Sequence, residues 1–226
     1  LAAIAKSAQI IPTRLTFVDI AGLVKGASRG EGLGNKFLSH IREVDAVAYV
    51  LRCFDDDDVT HVANRIDPMA DAEVVETELM LSDMESLERR MSAAEKKAKG
   101  GDKEAIAQLA LMQLALTPLR EGKPARSAVV PEDDRLAFRA LQLLTAKPVV
   151  YVCNVDEASA GAGNSYSAAV AERAKAEGAA VVVISAKIES ELAGLADDEQ
   201  QAFLAEMGLE EAGLNRLIRA GYALLN

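Results

Sequence analysis

Residues 15–20 read Leu15-Thr16-Phe17-Val18-Asp19-Ile20, and Ala21-Gly22 follow. A short β-branched and aromatic run without polar alternation is the pattern of a strand covered on both faces. Three more runs share it: residues 46–51 (Ala-Val-Ala-Tyr-Val-Leu), 148–153 (Pro-Val-Val-Tyr-Val-Cys) and 180–184 (Ala-Val-Val-Val-Ile). Helical patterns are read at 34–43, 167–177, 198–207 and 214–225. Asp197 and Gln200 are spaced as a capping box for the third of these. Strands alternating with helices predict an α/β domain with a mostly parallel sheet.

Between the second and third strands the rhythm breaks. Met80, Met84, Leu87, Met91, Ala94 and Ala98 follow a 4-3-4-3-4 spacing, the seam of a coiled coil. Lys99-Gly100-Gly101-Asp102 supplies a stop, a turn and a new N-cap. Ala105, Leu109, Met112, Leu116 and Leu119 then repeat the spacing, and Pro118 is expected to kink this second helix near its end. The pattern predicts an inserted antiparallel helical hairpin. Two roles stay open for it, burying its own seam or also touching a partner.

Composition bounds the rest. The chain has 226 residues, 50% of them apolar and 27% charged, which excludes intrinsic disorder. Its 35 Asp and Glu against 25 Lys and Arg give a formal charge of −10, which argues against a broad nucleic-acid-binding face but not against a local basic patch. No run approaches the roughly 18 apolar residues of a membrane span, and residues 1–14 lack the pattern of a signal peptide. Cys53 and Cys153 sit in apolar runs, as reduced buried thiols of a cytoplasmic protein do.

Chemistry gathers at the strand ends. Asp19 closes the first strand and Gly22 follows it as D-x-x-G. In P-loop nucleoside triphosphatases this Asp reaches a magnesium ion through water, and the glycine amide faces a γ-phosphate. The tetrapeptide is short, but ligands of open α/β sheets bind at this end of the strands. Asn154-Val155-Asp156-Glu157 follows the third strand, where GTPases carry the base-reading N-K-x-D. Ser185-Ala186-Lys187 follows the fourth, in the place of their S-A-K. Three short motifs in order, each after a strand, say far more than any one of them.

The run from Phe17 through Asp19-Ile20-Ala21-Gly22-Leu23-Val24-Lys25-Gly26 to Gly34-Asn35-Lys36-Phe37-Leu38 resembles switch II of the YchF family, the Obg-like ATPases. Arg52-Cys53-Phe54, His61-Val62, Asp67-Pro68, residues 99–104 and the closing Gly213-Leu214-Asn215-Arg216 to Gly221-Tyr222 extend the resemblance over the whole chain. It implies a Ras-like G domain with a helical arm, a TGS domain after it, ribosome binding, and a magnesium-dependent nucleoside triphosphatase that prefers ATP to GTP. On this reading the G-domain core occupies residues 1–70 and 131–226, with the arm at 71–130, and the protein is a cytoplasmic monomer.

The residues bear on the base and on catalysis. Guanine is read by an Asp that accepts two hydrogen bonds; Glu157 stands there, one methylene longer. Val155 replaces the Lys that covers the base and is expected to offer an apolar contact, while Asn154 can bond a purine through both ends of its amide. Ser185 and Ala186 complete the pocket. A shift of register that brings in Asp156 is the alternative and would restore guanine reading. Leu23 replaces the Gln that orients water in Ras-type enzymes. Of two histidines, His40 reads as a surface or capping residue, and His61, in a loop that the resemblance also favours, is the candidate for orienting water. The acidic run Asp55-Asp56-Asp57-Asp58 reads as a solvated loop rather than a metal cluster.

The chain contains no G-x-x-x-x-G-K-[ST], since Gly122-Lys123 is followed by Pro124. The expectation is therefore a G-domain core whose P-loop lies upstream of Leu1 and whose TGS domain lies beyond Asn226, inactive by itself. A non-catalytic module that docks on the ribosome or another protein is the competing expectation.

Overall fold

The computed structural model describes residues 14–20, 33–56 and 65–225, with no side chains described for 33–36. Three strands form one parallel sheet in the order β1 (Val47–Arg52), β2 (Val149–Asn154), β3 (Ala180–Ile184). Tyr49 lies opposite Tyr151, and Val152 opposite both Val50 and Val182. Residues 15–20 do not form the expected strand: they carry no sheet pairing, and Phe17 and Val18 are half exposed. A β-rich sequence becomes a strand only beside a partner, and β1 pairs with β2 alone among the described residues.

Each face of the sheet follows from strand alternation. Tyr49, Leu51, Val149, Tyr151 and Cys153 enter the central core, where Leu38 and Ile41 of α1 (Leu33–Glu43) meet Ala72 and Leu79 of α2 (Pro68–Lys99). Val170 and Ala174 of α5 (Ser165–Glu177) close that core. On the opposite face α8 (Gly213–Leu225) packs on β3 and β2 and leaves Val50 exposed. Both cysteines are free and buried, as expected.

The hairpin is present. Helix α2 starts about three turns before Met80, the first residue of its heptad seam, because Asp67 caps it, accepting from Ala70 N–H at 3.0 Å, and Pro68 occupies its first turn. Gly101 adopts φ +85° in the turn, and Asp102 caps α3 (Lys103–Arg120) by accepting from Glu104 and Ala105 N–H. Pro118 sits in the last turn, and α3 runs on to Arg120. Leu87, Ala94, Met112, Leu116 and Leu119 are buried along the seam, with Met80, Met84, Met91 and Leu109 packed beside them.

After the short α4 (Arg135–Arg139), the chain returns to β2 through residues held by polar bonds. Asp83 of α2 is fully buried and accepts from Leu144 N–H (2.9 Å), Thr145 N–H (2.8 Å) and Thr145 Oγ1 (2.7 Å). Burial pushes the Asp83 carboxyl up, while these bonds pull against it. Beside it, Glu76 of α2 pairs with Arg126 and, at 2.7 Å, with Arg173 of α5. Arg173 also reaches Glu177 at 2.7 Å, and Tyr151 Oη donates to Glu177 at the same distance.

Helix α6 (Ala186–Leu192) follows β3, and α7 (Asp197–Glu206) follows α6. The start of α7 falls one residue before the expected one. Glu199, not Gln200, closes it by accepting from Ala196 N–H at 3.1 Å, and Ala196 has no side-chain acceptor to return the bond.

Replacing Asp83 by Ala strands two buried N–H groups and a hydroxyl, so urea unfolding should show a loss of about 2–4 kcal/mol. Burial raises the Glu177 carboxyl, but hydrogen bonds from Tyr151 and Arg173 outweigh it and hold it below the ordinary value. Stability from this group is therefore present above the unfolded pKa and is lost as pH falls through the folded one. Glu177→Gln should flatten the acid limb of a thermal-stability profile below about pH 4.3.

Candidate functional site

The carboxyl ends of β2 and β3 lie side by side, with Asn154 opposite Ile184. Val155 N–H extends the ladder by donating to the Ile184 carbonyl at 2.8 Å. At this edge Asn154 Oδ1 accepts from Ala186 N–H at 2.9 Å, so the last residue of β2 holds the turn after β3. The expectation that both ends of the Asn154 amide are free is corrected: Oδ1 is committed, and Nδ2 makes no bond among the described residues. That donor suits a purine N7, an acceptor that adenine and guanine share. The Ala186 N–H is occupied by the same bond and is withheld from a base carbonyl.

Ser185 is buried, and its hydroxyl has no partner among the described residues. An orphaned buried hydroxyl beside Ala186 is an open position for a ligand or a water. Val155 corrects the sequence reading, being 2% exposed and packed within the central core, so its side chain offers no apolar cover to a base. Asp156 is spent locally. Its carboxylate caps the turn at Glu157–Ser159, accepting from Ser159 N–H at 2.8 Å and Ser159 Oγ at 3.1 Å. The Asp-x-x-Ser spacing is itself an N-cap signal that the sequence reading passed over.

Glu157 is solvent-facing and forms an ion pair with Lys187. The ammonium holds the Glu157 carboxyl below its usual range, and the carboxylate raises Lys187 in return. Nothing in spacing announces this pair, which arises because β2 and β3 end at one level. Sequence reasoning also missed Asn164, which caps α5 and donates Nδ2–H to the Cys53 carbonyl at 2.6 Å. Glu189 was missed as well; its carboxylate accepts from Gly213 and Leu214 N–H at the start of α8.

The phosphate side of the expected site is described only in part. Asp19 is exposed and makes no bond among the described residues, so its carboxylate fits a cation that keeps most of its waters. Ile20 packs against the central core, and Leu15 lies against Gly221 of α8. Gly22, His61, Asp57 and Asp58 lie outside the described residues. Asp55 and Asp56 are exposed; Tyr166 Oη stands 3.4 Å from both Asp55 oxygens, and Arg52 bonds the Asp56 carbonyl. No cluster of three metal-ligating side chains occurs among the described residues. His40 is exposed on α1.

With this geometry in place, residues 3–83 match the family described as 50S ribosome-binding GTPase. "Ribosome-binding ATPase YchF" of Haemophilus influenzae is 50% identical over the whole chain, which covers 62% of that protein. Its Bacillus subtilis counterpart is 48% identical over 95% of this chain and 59% of its own length. The solved "Structure of the Schizosaccharomyces pombe YchF GTPase" superposes with a TM-score of 0.79 at 29% identity, covering 100% of this chain and 62% of that one. Over its whole length the chain is similar to members of the YchF family. Its fold is the α/β G domain, carrying the helical hairpin between β1 and β2. It spans about three fifths of the length of these YchF relatives. Among the described residues no helix is long and apolar enough to cross a membrane.

Asn154→Ala removes both the brace on Ala186 and the free Nδ2 donor. Loss of the brace should cost about 1 kcal/mol of stability, read from urea unfolding.

Proposed function

We propose that this chain carries the base-reading side of a YchF-type, magnesium-dependent nucleoside triphosphatase that prefers ATP to GTP and acts on the ribosome in the cytoplasm, as a monomer. The observation that carries the base preference is the Asn154–Ala186 hydrogen bond. It uses the backbone donor that would meet a guanine carbonyl and leaves a donor suited to the N7 of either purine. Asp156, capping its own turn, is not free to restore guanine reading by a shift of register. A site that leaves the polar groups of one base unpaired discriminates against that base. The relatives' printed names, "Ribosome-binding ATPase YchF", support the nucleotide and the ribosome as partners.

In this reading Asn154 and Glu157 face the base, Ser185 and Ala186 line it, and Gly22 meets the γ-phosphate. Val155 contributes from beneath, by fixing the turn through the core rather than by covering the base. Asp19 would hold a magnesium ion through water, and that ion would supply charge to offset what develops on the transferred phosphoryl. His61 orients the attacking water, because Leu23 has no polar atom to do so. Residues 1–70 and 131–226 form the G-domain core and 71–130 the arm. Lacking a G-x-x-x-x-G-K-[ST] sequence, the chain as given binds triphosphate weakly and hydrolyses little.

Calorimetric titration of ATP and GTP into this chain, and into one extended upstream through a P-loop, tests the reading. The extended protein should bind ATP more tightly than GTP. Negligible binding of both nucleotides by both proteins would leave a non-catalytic docking module. Tighter GTP binding would overturn the base preference. His61→Ala in the extended protein should lower turnover at least tenfold with nucleotide affinity intact; unchanged turnover removes His61 from the mechanism.

A further inference from the structure

The Lys187–Glu157 ion pair lies at the lip of the base-reading edge, on the residue after Ala186 and the third residue after Asn154. Lys187 is reached by three carboxylates: Glu157 in direct contact, with Glu191 of α6 and Asp56 beyond β1 acting at longer range. Glu157 alone touches the ammonium, which is otherwise open to solvent. Of the three carboxylates, Glu157 is the one in the position where GTPases read guanine.

A carboxylate reads guanine by accepting N1–H and an exocyclic N–H together, which requires both of its oxygens. Adenine presents an unprotonated N1 there and needs no such acceptor. In this chain one Glu157 oxygen is taken by the Lys187 ammonium. The Lys187 contact turns that oxygen toward the ammonium and draws on its charge, so presenting both oxygens to the guanine hydrogens competes with the ion pair, whereas an adenine ligand demands nothing of it. Building on the base-site reading above, we propose that Lys187 is a specificity-determining residue, sequestering Glu157 so that the site rejects guanine. Glu157 is thus not merely too long to read guanine; it is already engaged.

The pair is open to solvent, so its effect is bounded by what exposed ion pairs contribute, and a change of about three- to fivefold is expected. The test titrates adenosine and guanosine separately into isotope-labelled chain and follows the amides of residues 154–157 and 185–187. Lys187→Ala should raise guanosine affinity about three- to fivefold and leave adenosine affinity unchanged, while Lys187→Arg restores the wild-type ratio. In a Glu157→Gln background, Lys187→Ala should produce no gain for guanosine, because no carboxylate is there to be released. Added salt should narrow the wild-type preference and leave that of Lys187→Ala unmoved. If both nucleosides shift these amides but Lys187→Ala leaves the guanosine-to-adenosine ratio unchanged, Lys187 has no part in specificity. Should neither nucleoside perturb these amides in any variant, the base-site reading falls and takes this proposal with it.

Discussion

The buried carboxylate of Asp83 is the contact on which the sheet depends. β1 and β2 are hydrogen-bonded neighbours, yet nearly a hundred residues separate them in sequence. Chain that leaves one strand and travels out along a coiled coil must return in register with its neighbour, and a slip of one residue would turn every side chain of β2 over. Asp83 binds the backbone of Leu144 and Thr145 shortly before β2 begins. Thr145 Oγ1 also accepts from Ala125 N–H at 3.0 Å, so the end of the hairpin is fixed by the same residue. Re-entry is thereby set by directional bonds in a dry place, where an unmade bond is costly.

The Glu76–Arg126–Arg173–Glu177 cluster, capped by the Tyr151 hydroxyl, sits beside that clamp and joins α2, the segment after α3, α5 and β2. It couples the arm to the strand that ends at Asn154. Buried charges are weak sources of net stability but strict about geometry, since each needs its partner in place. The hairpin root and the base-reading edge therefore share one rigid connection through β2.

Much of this was legible from the chain, for physical reasons. The coiled-coil seam is a repeating pattern, and Asp102 after two glycines is a local cap, so both could be read without knowing what they pack against. Strands 47–52, 149–154 and 180–184 are dense apolar runs, though β2 alone is buried on both faces while β1 leaves Ala48 and Val50 exposed. Residues 15–20 have the same composition but no pairing, because strand formation needs an edge to join as well as a propensity. Val155 was misread because N-K-x-D logic was applied position by position; with Lys replaced by Val, the side chain follows hydrophobicity into the core. Asp156 was treated as a spare base reader when its spacing to Ser159 makes it a cap. Lys187 meeting Glu157 and Asn154 bracing Ala186 lie beyond any local pattern, since both are made by two strands ending at one level.

Gly221 carries a consequence for how the molecule is assembled. A Cβ at this position would lie 2.7 Å from Leu15 Cδ2, so the missing side chain is the socket for a residue at the other end of the sequence. During synthesis the segment that leads to Asp19 emerges well before the helix that receives Leu15. Contacts between distant parts of a chain form late and slow folding. Leu15 cannot reach its socket until translation of this region is almost finished. The segment bearing Asp19 is then seated only after the residues of β2 and β3 have been synthesised.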